Sequence, residues 1–481
     1  MADRLDRALV PATGMIGRRD LLASTAAAMA LMLAAPKVGA RGILTAPAFG
    51  IRALMLKAYI YGYAPVAAWA TMGIQTAVPD ANTIPGAAPI NQFAYIKTLA
   101  NPSETTVIRP NADTIYTLAW LDLSEQPMVI SLPAVTDRYY VVPLLDAYTN
   151  EFFSLGSRTT GSGAGNYLVA GPGWSGTPPP GITLVIPAPT PTVWVIGRTL
   201  VRGPDDLENA VAVTSQYQLI PLDQYPGPYT PPTNVPVTPP DPDFVPPEGE
   251  PATAAIGFGL PEFFQIMQEV IAANPPPSDQ HALVESFRAA YANADRLTAD
   301  LVQAALKVMT SALGSGAEAV NGWGYLLDLG NYGENYALRG GVALSGLGAI
   351  TAADAVYANC STDETGAPLD GSKAKYQIRF AAGQTPPVQG FWSITVYNEK
   401  GLLVANPINR YAVGSETGLV ADADGSVTIQ LWNTQPPAPI PEANWLPVPD
   451  GRFSLTLRMY WPGGAVLNNS YVIPPVEVVA A

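Results

Sequence analysis

The 481-residue chain contains a single histidine, His281, and a single cysteine, Cys360. A structural zinc site needs about four Cys or His ligands, so that class of metal site is excluded. A catalytic Ser-His-Asp or Cys-His arrangement would depend on His281, which is predicted in a solvated first turn of a helix. Cys360 has no basic neighbour in sequence that would lower its pKa, so it is predicted to be unreactive.

Charged residues are also scarce, at 13% of the chain, against ~25% in typical soluble domains. Acidic residues outnumber basic ones by 39 to 25, which gives a net charge of −14. A chain of this charge is a poor candidate for binding nucleic acid or an anionic membrane surface. Hydrophobic residues make up 48% of the chain, so we expect a large core and no global disorder.

The N-terminus has the features of a secretory signal peptide. The pair Arg18-Arg19 precedes an apolar run from Leu21 to Ala35 and a small-residue pattern that ends at Ala40. The arginine pair favours the twin-arginine route, and the run is shorter than the ~20 residues that span a bilayer. We therefore expect a periplasmic or secreted protein whose mature chain begins near Arg41 and has no integral membrane span. The alternative is a buried or frayed N-terminal helix.

Two stretches of the chain are rich in short β-branched and aromatic segments separated by turn residues, which predicts a β-rich fold. The predicted strands are Thr114–Leu121, Met128–Leu132, Tyr139–Leu144, Tyr167–Ala170, Ile182–Ile186, Val193–Val201, Lys375–Phe380, Phe391–Tyr397, Val427–Trp432 and Phe453–Tyr460. The glycine-rich loop at 158–165 lacks the phosphate-loop motif and leads into a strand. It is predicted to be a flexible hairpin connection.

Apolar residues at spacings of three and four predict helices over 48–77 and 261–313. Pro65 should kink or end the first helix, and the prolines at 275–277 should divide the second. The predicted organisation is a signal peptide at 1–40, an N-terminal β-rich domain with a leading helix at 41–223, a proline-rich linker or insertion at 224–253, a helical segment at 254–335 and a C-terminal β-sandwich domain at 336–481.

Several strings resemble one bacterial family, the paired domains of unknown function 1254 in the first half and 1214 in the second. The strings are Tyr59–Tyr63, Arg109–Tyr116, Trp120–Leu123, Asp137–Tyr140, Asp146–Asn150, Arg158–Gly161, Ala170–Trp174, Ile196–Thr199, Asp370-Gly371, Gly390–Tyr397, Asn406–Tyr411 and Glu442–Pro447. The resemblance implies a mainly β, α+β fold in which two β-sandwich or jelly-roll-like domains are joined by helices. It implies no activity, because the family is named for having none assigned.

The string that begins at Arg109 is the first candidate site. In the functional interpretation Arg109 binds an anionic or carbonyl oxygen, Asp113 is a general base and Tyr116 donates a proton or a hydrogen bond. In the structural interpretation the string is a turn before a strand: Asn111 and Asp113 bond to nearby backbone, and Arg109 pairs with a carboxylate. The sequence leaves both interpretations open. Asn111 is a binding candidate in the functional interpretation.

A second polar group, with Asp146 and Asn150, follows an apolar strand, at a position where ligands often sit. If Asp113 and Asp146 face one cavity, the pKa of one carboxyl is raised, and the pair can do acid–base chemistry without histidine. A Ca²⁺ site is the neighbouring alternative, because hard cations take oxygen ligands. The chain contains no D-x-D-x-D-G loop to support it.

A third candidate group lies in the second half. Strand periodicity places Trp392 and Ile394 on one face and Ser393 on the other. Most residues of this group are expected in the core or in turns; the group comprises Trp392, Ser393, Tyr397, Asn406, Asn409, Arg410 and Tyr411. Trp392, Tyr397 and Arg410 are the binding candidates, at a pocket between the halves.

These residues support two hypotheses for the function. The first is an exported, cofactor-independent hydrolase or lyase that acts on a small polar or carbonyl compound and needs no metal. Asp113, Tyr116 and Asp146 would be catalytic in that case. The second is a non-catalytic periplasmic ligand-binding or assembly protein. A small-molecule ligand fits both hypotheses, and so does a homo-oligomer that covers strand edges.

Overall fold

The computed structural model describes residues 50–105, 107–237, 254–293, 299–314 and 319–479. The predicted signal peptide at 1–40 and residues 238–253 of the proline-rich tract lie outside the described residues. The prediction of an α+β fold is confirmed: four sheets are combined with a group of helices. Among the described helices, none has both the length and the apolar content that crossing a membrane requires.

The first half consists of one long helix followed by two packed sheets. Its elements are α1 (Ile51–Thr76), β1 (Ala94–Ile96), β2 (Thr114–Asp122), β3 (Met128–Leu132), β4 (Tyr140–Asp146), β5 (Glu151–Gly156), β6 (Gly165–Ala170), β7 (Leu184–Pro187), β8 (Thr192–Leu200), α2 (Leu207–Thr214) and β9 (Gln218–Pro221). Sheet I has the order β1-β2-β8-β4-β5, and sheet II has the order β7-β6-β3-β9. Their inner faces share one core, to which Leu121, Ile130 and Leu144 belong.

The middle of the chain forms helices that pack around α1. The elements are α3 (Ala254–Gly257), α4 (Leu260–Ala273), α5 (His281–Ser286), α6 (Arg288–Tyr291), α7 (Ala299–Gly314), β10 (Trp323–Gly324) and α8 (Tyr336–Gly346). Tyr59, Phe263 and Met309, from three of these helices, lie in one buried cluster. The chain after the three prolines forms several short helices, where the sequence predicted one long helix.

The second half is again a pair of sheets. Its elements are β11 (Ala355–Cys360), β12 (Tyr376–Phe380), β13 (Trp392–Asn398), β14 (Ala412–Gly414), β15 (Val427–Leu431), β16 (Phe453–Tyr460), α9 (Gly464–Leu467) and β17 (Glu477–Val478). Sheet III has the order β10-β11-β16-β13-β14, and sheet IV has the order β15-β12-β17. Ile378, Ile394 and Leu457 contribute to the core between these two sheets.

Helix α1 runs through Pro65, so the prediction that this proline could end the helix is wrong. Proline has no N–H, which leaves the carbonyl of Tyr61, four residues earlier, without its usual helical partner. The Arg339 guanidinium of α8 donates a hydrogen bond to this carbonyl at 2.8 Å. A tertiary contact therefore satisfies the group that the proline leaves free.

The two halves meet through the outer faces of sheets I and III. The rings of Phe391 and Tyr460 stack with centroids 4.3 Å apart, and Tyr139 from the first half packs on Tyr460. The glycine-rich loop also belongs to this junction, because Arg158 forms an ion pair of 2.7 Å with buried Asp354. The loop connects β5 in sheet I to β6 in sheet II, so the predicted hairpin is wrong and the loop is a crossover.

Candidate functional site

A cavity of about 620 Å³ lies between sheets I and III. Its wall is completed by residues of α8 and by residues that precede and follow α8 in the chain. Its volume is within the usual range for a small-molecule site, ~300–1,000 Å³. Four arginines line it: Arg109 before β2, Arg198 in β8, Arg452 directly before β16 and Arg458 in β16. Arg452 forms an ion pair of 3.7 Å with Glu399, which also lines the cavity, so among the described residues the other three carry its unpaired charge. We call it the arginine cavity.

Strand periodicity explains the polar wall that sheet III contributes. In β16, Leu455 and Leu457 point into the core between sheets III and IV. The alternate residues Ser454, Thr456 and Arg458 therefore lie on the opposite face, and all three line the cavity. An antiparallel sheet often exposes such a face to water, but here the first half of the chain covers it.

Arg458 lies between two neighbouring strands of sheet III. The strand register places it opposite Tyr357 of β11 and opposite Ser393 of β13. Its guanidinium donates to the hydroxyls of Thr395 and Tyr397, at 2.8 Å each, and to the backbone carbonyl of Arg109 at 2.9 Å. These contacts fix Arg458 in the cavity wall.

Arg198 reaches the cavity from sheet I. The register pairs it with Tyr116 of β2, and the guanidinium lies 5.5 Å from the centroid of that ring. Its hydrogen bonds go to the carbonyls of Ile196 and Gly348, both at 3.3 Å. Arg198 is 7% exposed, so a nearly buried guanidinium is held here by long bonds to neutral groups.

Arg109 joins the two halves. Its backbone has a φ of 54°, and its N–H donates to the carbonyl of Gly401 at 2.8 Å. The guanidinium donates to the hydroxyls of Thr456 at 2.7 Å and Ser454 at 2.9 Å. The structural interpretation predicted a carboxylate partner for Arg109; the structure shows hydroxyl partners. Burial and the nearby charge of Arg458 lower the pKa of Arg109 to about 10.

The cavity has an excess of positive charge. In the ranges that the structure describes, none of Arg109, Arg198 and Arg458 forms an ion pair. The carboxylate of Asp113 lies behind the wall, is buried, and accepts a hydrogen bond of 2.5 Å from the Ser393 hydroxyl. Burial raises the pKa of Asp113, although Arg458 and the Ser393 bond oppose this shift.

The other residues of the first candidate string have separate positions. Tyr116 and Asn111 line the cavity. The Asn111 amide donates to the Tyr460 hydroxyl at 2.7 Å, and its oxygen accepts the backbone N–H of Asp113 at 2.8 Å. Asn111 therefore has the backbone-capping role of the structural interpretation and a place in the cavity wall as well.

Asp146 does not share a site with Asp113. Thr114 pairs with Leu200 at one end of β8, whereas Asp146 pairs with Val193, seven residues away. At ~3.3 Å per residue, the strand positions beside Asp113 and Asp146 are about 23 Å apart along the sheet, and Asp146 is not among the residues that line the cavity. The hypothesis that the two carboxylates form a catalytic pair is therefore wrong.

Asp146 and Asn150 instead form a turn at the end of β4. The Asp146 carboxylate accepts the backbone N–H groups of Tyr148 and Asn150 at 2.9 Å each. The Asn150 oxygen accepts the backbone N–H of Tyr332 at 3.3 Å. Burial raises the pKa of Asp146, and its bonds to Asn150 oppose that shift. Both side chains hold loops in place.

Only one candidate of the second half supports the cavity. The Tyr397 hydroxyl donates to the carbonyl of Pro110 at 2.7 Å and accepts from Arg458. Trp392 is buried between sheets III and IV. Arg410 donates to the carbonyl of Trp445 at 3.1 Å, outside the cavity. Trp392 and Ile394 do share one strand face, with Ser393 on the other, as predicted.

Arg198 and Arg458 were missing from the sequence prediction of the site. Arg458 lies in a strand whose apolar and polar residues alternate, and that alternation already separates it from Leu457. Arg198 is a charged residue inside an otherwise apolar strand. Charged residues are rarely buried without a reason, so each was a detectable signal.

The scarce residues have the unreactive environments that the sequence predicted. His281 is exposed, and its Nε2 lies 2.9 Å from the carbonyl of Pro276. Cys360 lines the cavity from a buried position, and burial raises the pKa of its thiol to about 12. Within the described ranges, no three His, Cys, Asp or Glu side chains come together as a metal site would require.

Comparison with known proteins gives the family. A model described as "Protein of unknown function (DUF1254)" matches residues 90–221, and one described as "Protein of unknown function (DUF1214)" matches residues 354–464. The chain belongs to this paired-domain family. In this DUF1254–DUF1214 protein, Arg109, Tyr116 and Arg198 come from the first matched region and Arg458 from the second. The cavity is therefore built by both.

One solved structure shows a similar fold. The crystal structure of the VPA0106 protein from Vibrio parahaemolyticus has a TM-score of 0.65 and 23% sequence identity, over 90% of this chain and 100% of that chain. A structure of an uncharacterised protein from Burkholderia cenocepacia has a TM-score of 0.43 and 14% identity, over 96% of both chains. No curated protein matches this family member.

Proposed function

We propose that the protein binds a small organic anion in the arginine cavity. The observation that carries this proposal is the group of three arginines, Arg109, Arg198 and Arg458, without an ion pair in the described ranges. A buried charge is costly unless a counter-charge or good hydrogen bonds accompany it. An anion between the two sheets would supply that counter-charge.

The hydrogen bonding of the arginines supports the same ligand. A guanidinium carries five N–H donors and matches a carboxylate in a two-bond fork. Arg109 bonds to two hydroxyls, and Arg198 bonds to two backbone carbonyls and to the Tyr116 hydroxyl, so both keep further donors. An anion that accepts from the other donors would also relieve the repulsion between Arg109 and Arg458, which contributes to the lowered pKa of Arg109.

Of the two hypotheses from sequence, this geometry favours the ligand-binding protein. The proposed acid–base chemistry needed Asp146, which lies at the far end of sheet I. The signal-peptide pattern of the first 40 residues supports binding in the periplasm or outside the cell. A homo-oligomer is compatible with this function, but the proposed site does not need one, because one chain supplies all of its lining residues.

The first test is a thermal-shift screen of the full chain with small carboxylates and phosphate. A ligand that binds only the native state stabilises it by ~2.7 kcal/mol at a hundredfold excess over its Kd. We expect the shift to disappear in Arg198→Met and in Arg109→Met. Arg410→Met is the matched control, because Arg410 is a partly buried arginine outside the cavity. Shifts of equal size in all three variants would refute the proposal.

A hydrolase or lyase that acts on the bound anion is the second candidate. The observation that favours it is Tyr116, whose ring lies in the cavity wall beside the Arg198 guanidinium and whose hydroxyl is a proton donor. Any ligand from the screen should be incubated with the protein and followed by proton NMR. Product that forms with the wild type but not with Tyr116→Phe would support the enzyme. If the ligand stays unchanged in the presence of the protein, the enzyme is refuted and the binding function is unaffected.

A further inference from the structure

The wall of the arginine cavity has two chemically different parts, contributed by different elements. The polar part comes from strands of sheets I and III and from the loops beside them, Arg109 included. The other part is aliphatic, comes from the helical segment between the halves, and comprises Leu313, Leu326, Leu329, Val342, Leu347 and Ala349. Two of these residues, Leu313 and Val342, belong to the buried core of the helices, so the aliphatic wall is an edge of that core.

The two parts of the wall meet at Arg198. This guanidinium donates to the carbonyl of Gly348, the residue directly after Leu347. Gly348 lies against the side chains of sheet I, because a Cβ placed there would be 2.7 Å from Ile196. An anionic group at Arg198 would therefore be adjacent to the aliphatic wall.

A small, strongly hydrated ion would use only half of such a cavity. Phosphate or a compact polycarboxylate would occupy the polar part and leave the leucines in contact with water. A ligand with a carboxylate at one end and an apolar body at the other would satisfy both parts, because burial of apolar surface is favourable at roughly 25 cal/mol per Å². The cavity volume of about 620 Å³ has room for that body.

We infer that the ligand is a monocarboxylate with an aliphatic or aryl body, whose carboxylate lies at Arg109 and Arg198 and whose body lies against Leu326, Leu329 and Leu347. The inference rests on the proposed function and defines its ligand class. The planar guanidinium fork matches a carboxylate, and the leucine wall favours a ligand with an apolar body over a compact anion such as phosphate.

The test is a titration series by isothermal calorimetry on the full chain, at constant ionic strength, with acetate, butanoate, hexanoate and octanoate. Each buried methylene contributes ~0.8 kcal/mol, so affinity should rise about fourfold per methylene. Leu329→Asn should flatten this slope, because it replaces part of the aliphatic wall with a polar side chain. Leu347→Asn serves as a second variant of the same wall. Leu184→Asn, at an exposed leucine of β7 outside the cavity, should keep the wild-type slope.

Two reference ligands separate the ways in which the inference can fail. Equal affinity for acetate, octanoate and phosphate would overturn the apolar body and leave anion binding intact. Binding of 1-hexanol as tight as that of hexanoate would overturn the carboxylate. If neither phosphate nor any carboxylate bound, the proposed function would fail and this inference with it.

Discussion

Glu151 and Asp354 form a buried carboxyl pair at the junction between the halves. The Glu151 carboxyl accepts the backbone N–H of Thr351 at 2.5 Å and is 5% exposed. Asp354 accepts from Arg158 at 2.7 Å and from Ser154 at 2.7 Å. Asp354 also shares a hydrogen bond with the Glu151 carboxyl. Burial raises the pKa of Asp354, but the three hydrogen bonds outweigh it, and the pKa is lowered. Burial and the adjacent Asp354 raise the pKa of Glu151 to about 8.

The sign of the resulting pH dependence follows from proton binding. Between about pH 4.5 and pH 8, Glu151 keeps its proton in the folded protein and loses it in the unfolded chain. The folded state then binds one proton more, so the free energy of unfolding falls as pH rises, by up to ~1.4 kcal/mol per pH unit. Between pH 6 and pH 7.5 the loss should be about 2 kcal/mol. Below about pH 4.5 the group contributes no slope.

Glu151→Gln should remove this part of the pH dependence. Glutamine has nearly the shape of the protonated acid and can donate to Asp354 at any pH. We expect the variant to gain about 2 kcal/mol relative to wild type between pH 6 and pH 7.5, as measured by urea unfolding. The chain has only one histidine, so few other groups titrate in this range.

The control is Glu125→Gln, at an exposed glutamate between β2 and β3. Its stability difference from wild type should be the same at every pH. A difference between Glu151→Gln and wild type that stays constant from pH 6 to pH 7.5 would refute the reasoning, because it would mean that Glu151 is already ionised in the folded protein.

Two further predictions concern residues outside the cavity. Asp146→Ala should lower the free energy of unfolding by about 1–3 kcal/mol, because the N–H groups of Tyr148 and Asn150 lose their acceptor. Calorimetry should show an unchanged Kd for cavity ligands, since neither Asp146 nor these two partners line the cavity. Arg339→Met should cost about 2–4 kcal/mol in urea unfolding, because it leaves the Tyr61 carbonyl unpaired and removes a cation from three tyrosine rings. A loss no larger than that of Arg379→Met, at a surface arginine, would show that the carbonyl has another partner.

The strands were the most predictable part of the fold. Met128–Leu132 and Phe453–Tyr460 have the predicted limits. Pro127 and Pro133 flank the first strand, and Gly451 and Pro462 lie close to the ends of the second. The helical region was less predictable, since its apolar spacing cannot show where tertiary packing breaks a helix. The effect of Pro65 could not be predicted at all: its consequence depends on Arg339, which is 274 positions away in the chain.

The candidate site was predicted only in part, for a physical reason. Arg109, Asn111 and Tyr116 were found because they occur together in one string. Arg198 and Arg458 come from strands that are distant in sequence, and only the pairing of the sheets brings them to the same cavity. The distance between Asp113 and Asp146 is likewise set by strand register, which the sequence did not reveal.

The position of the cavity gives a reason for the pairing of the two domains in one chain. In an isolated second half, the Ser454, Thr456 and Arg458 side chains would form the water-exposed face of an antiparallel sheet. In an isolated first half, Arg198 and Tyr116 would likewise be exposed on sheet I. Only when the two faces meet do these side chains leave bulk water, and electrostatic attraction to an anion is far stronger in such an environment. The proposed binding site is thus a property of the junction, and the contacts of Arg109 to Ser454 and Thr456 hold that junction closed at the cavity itself.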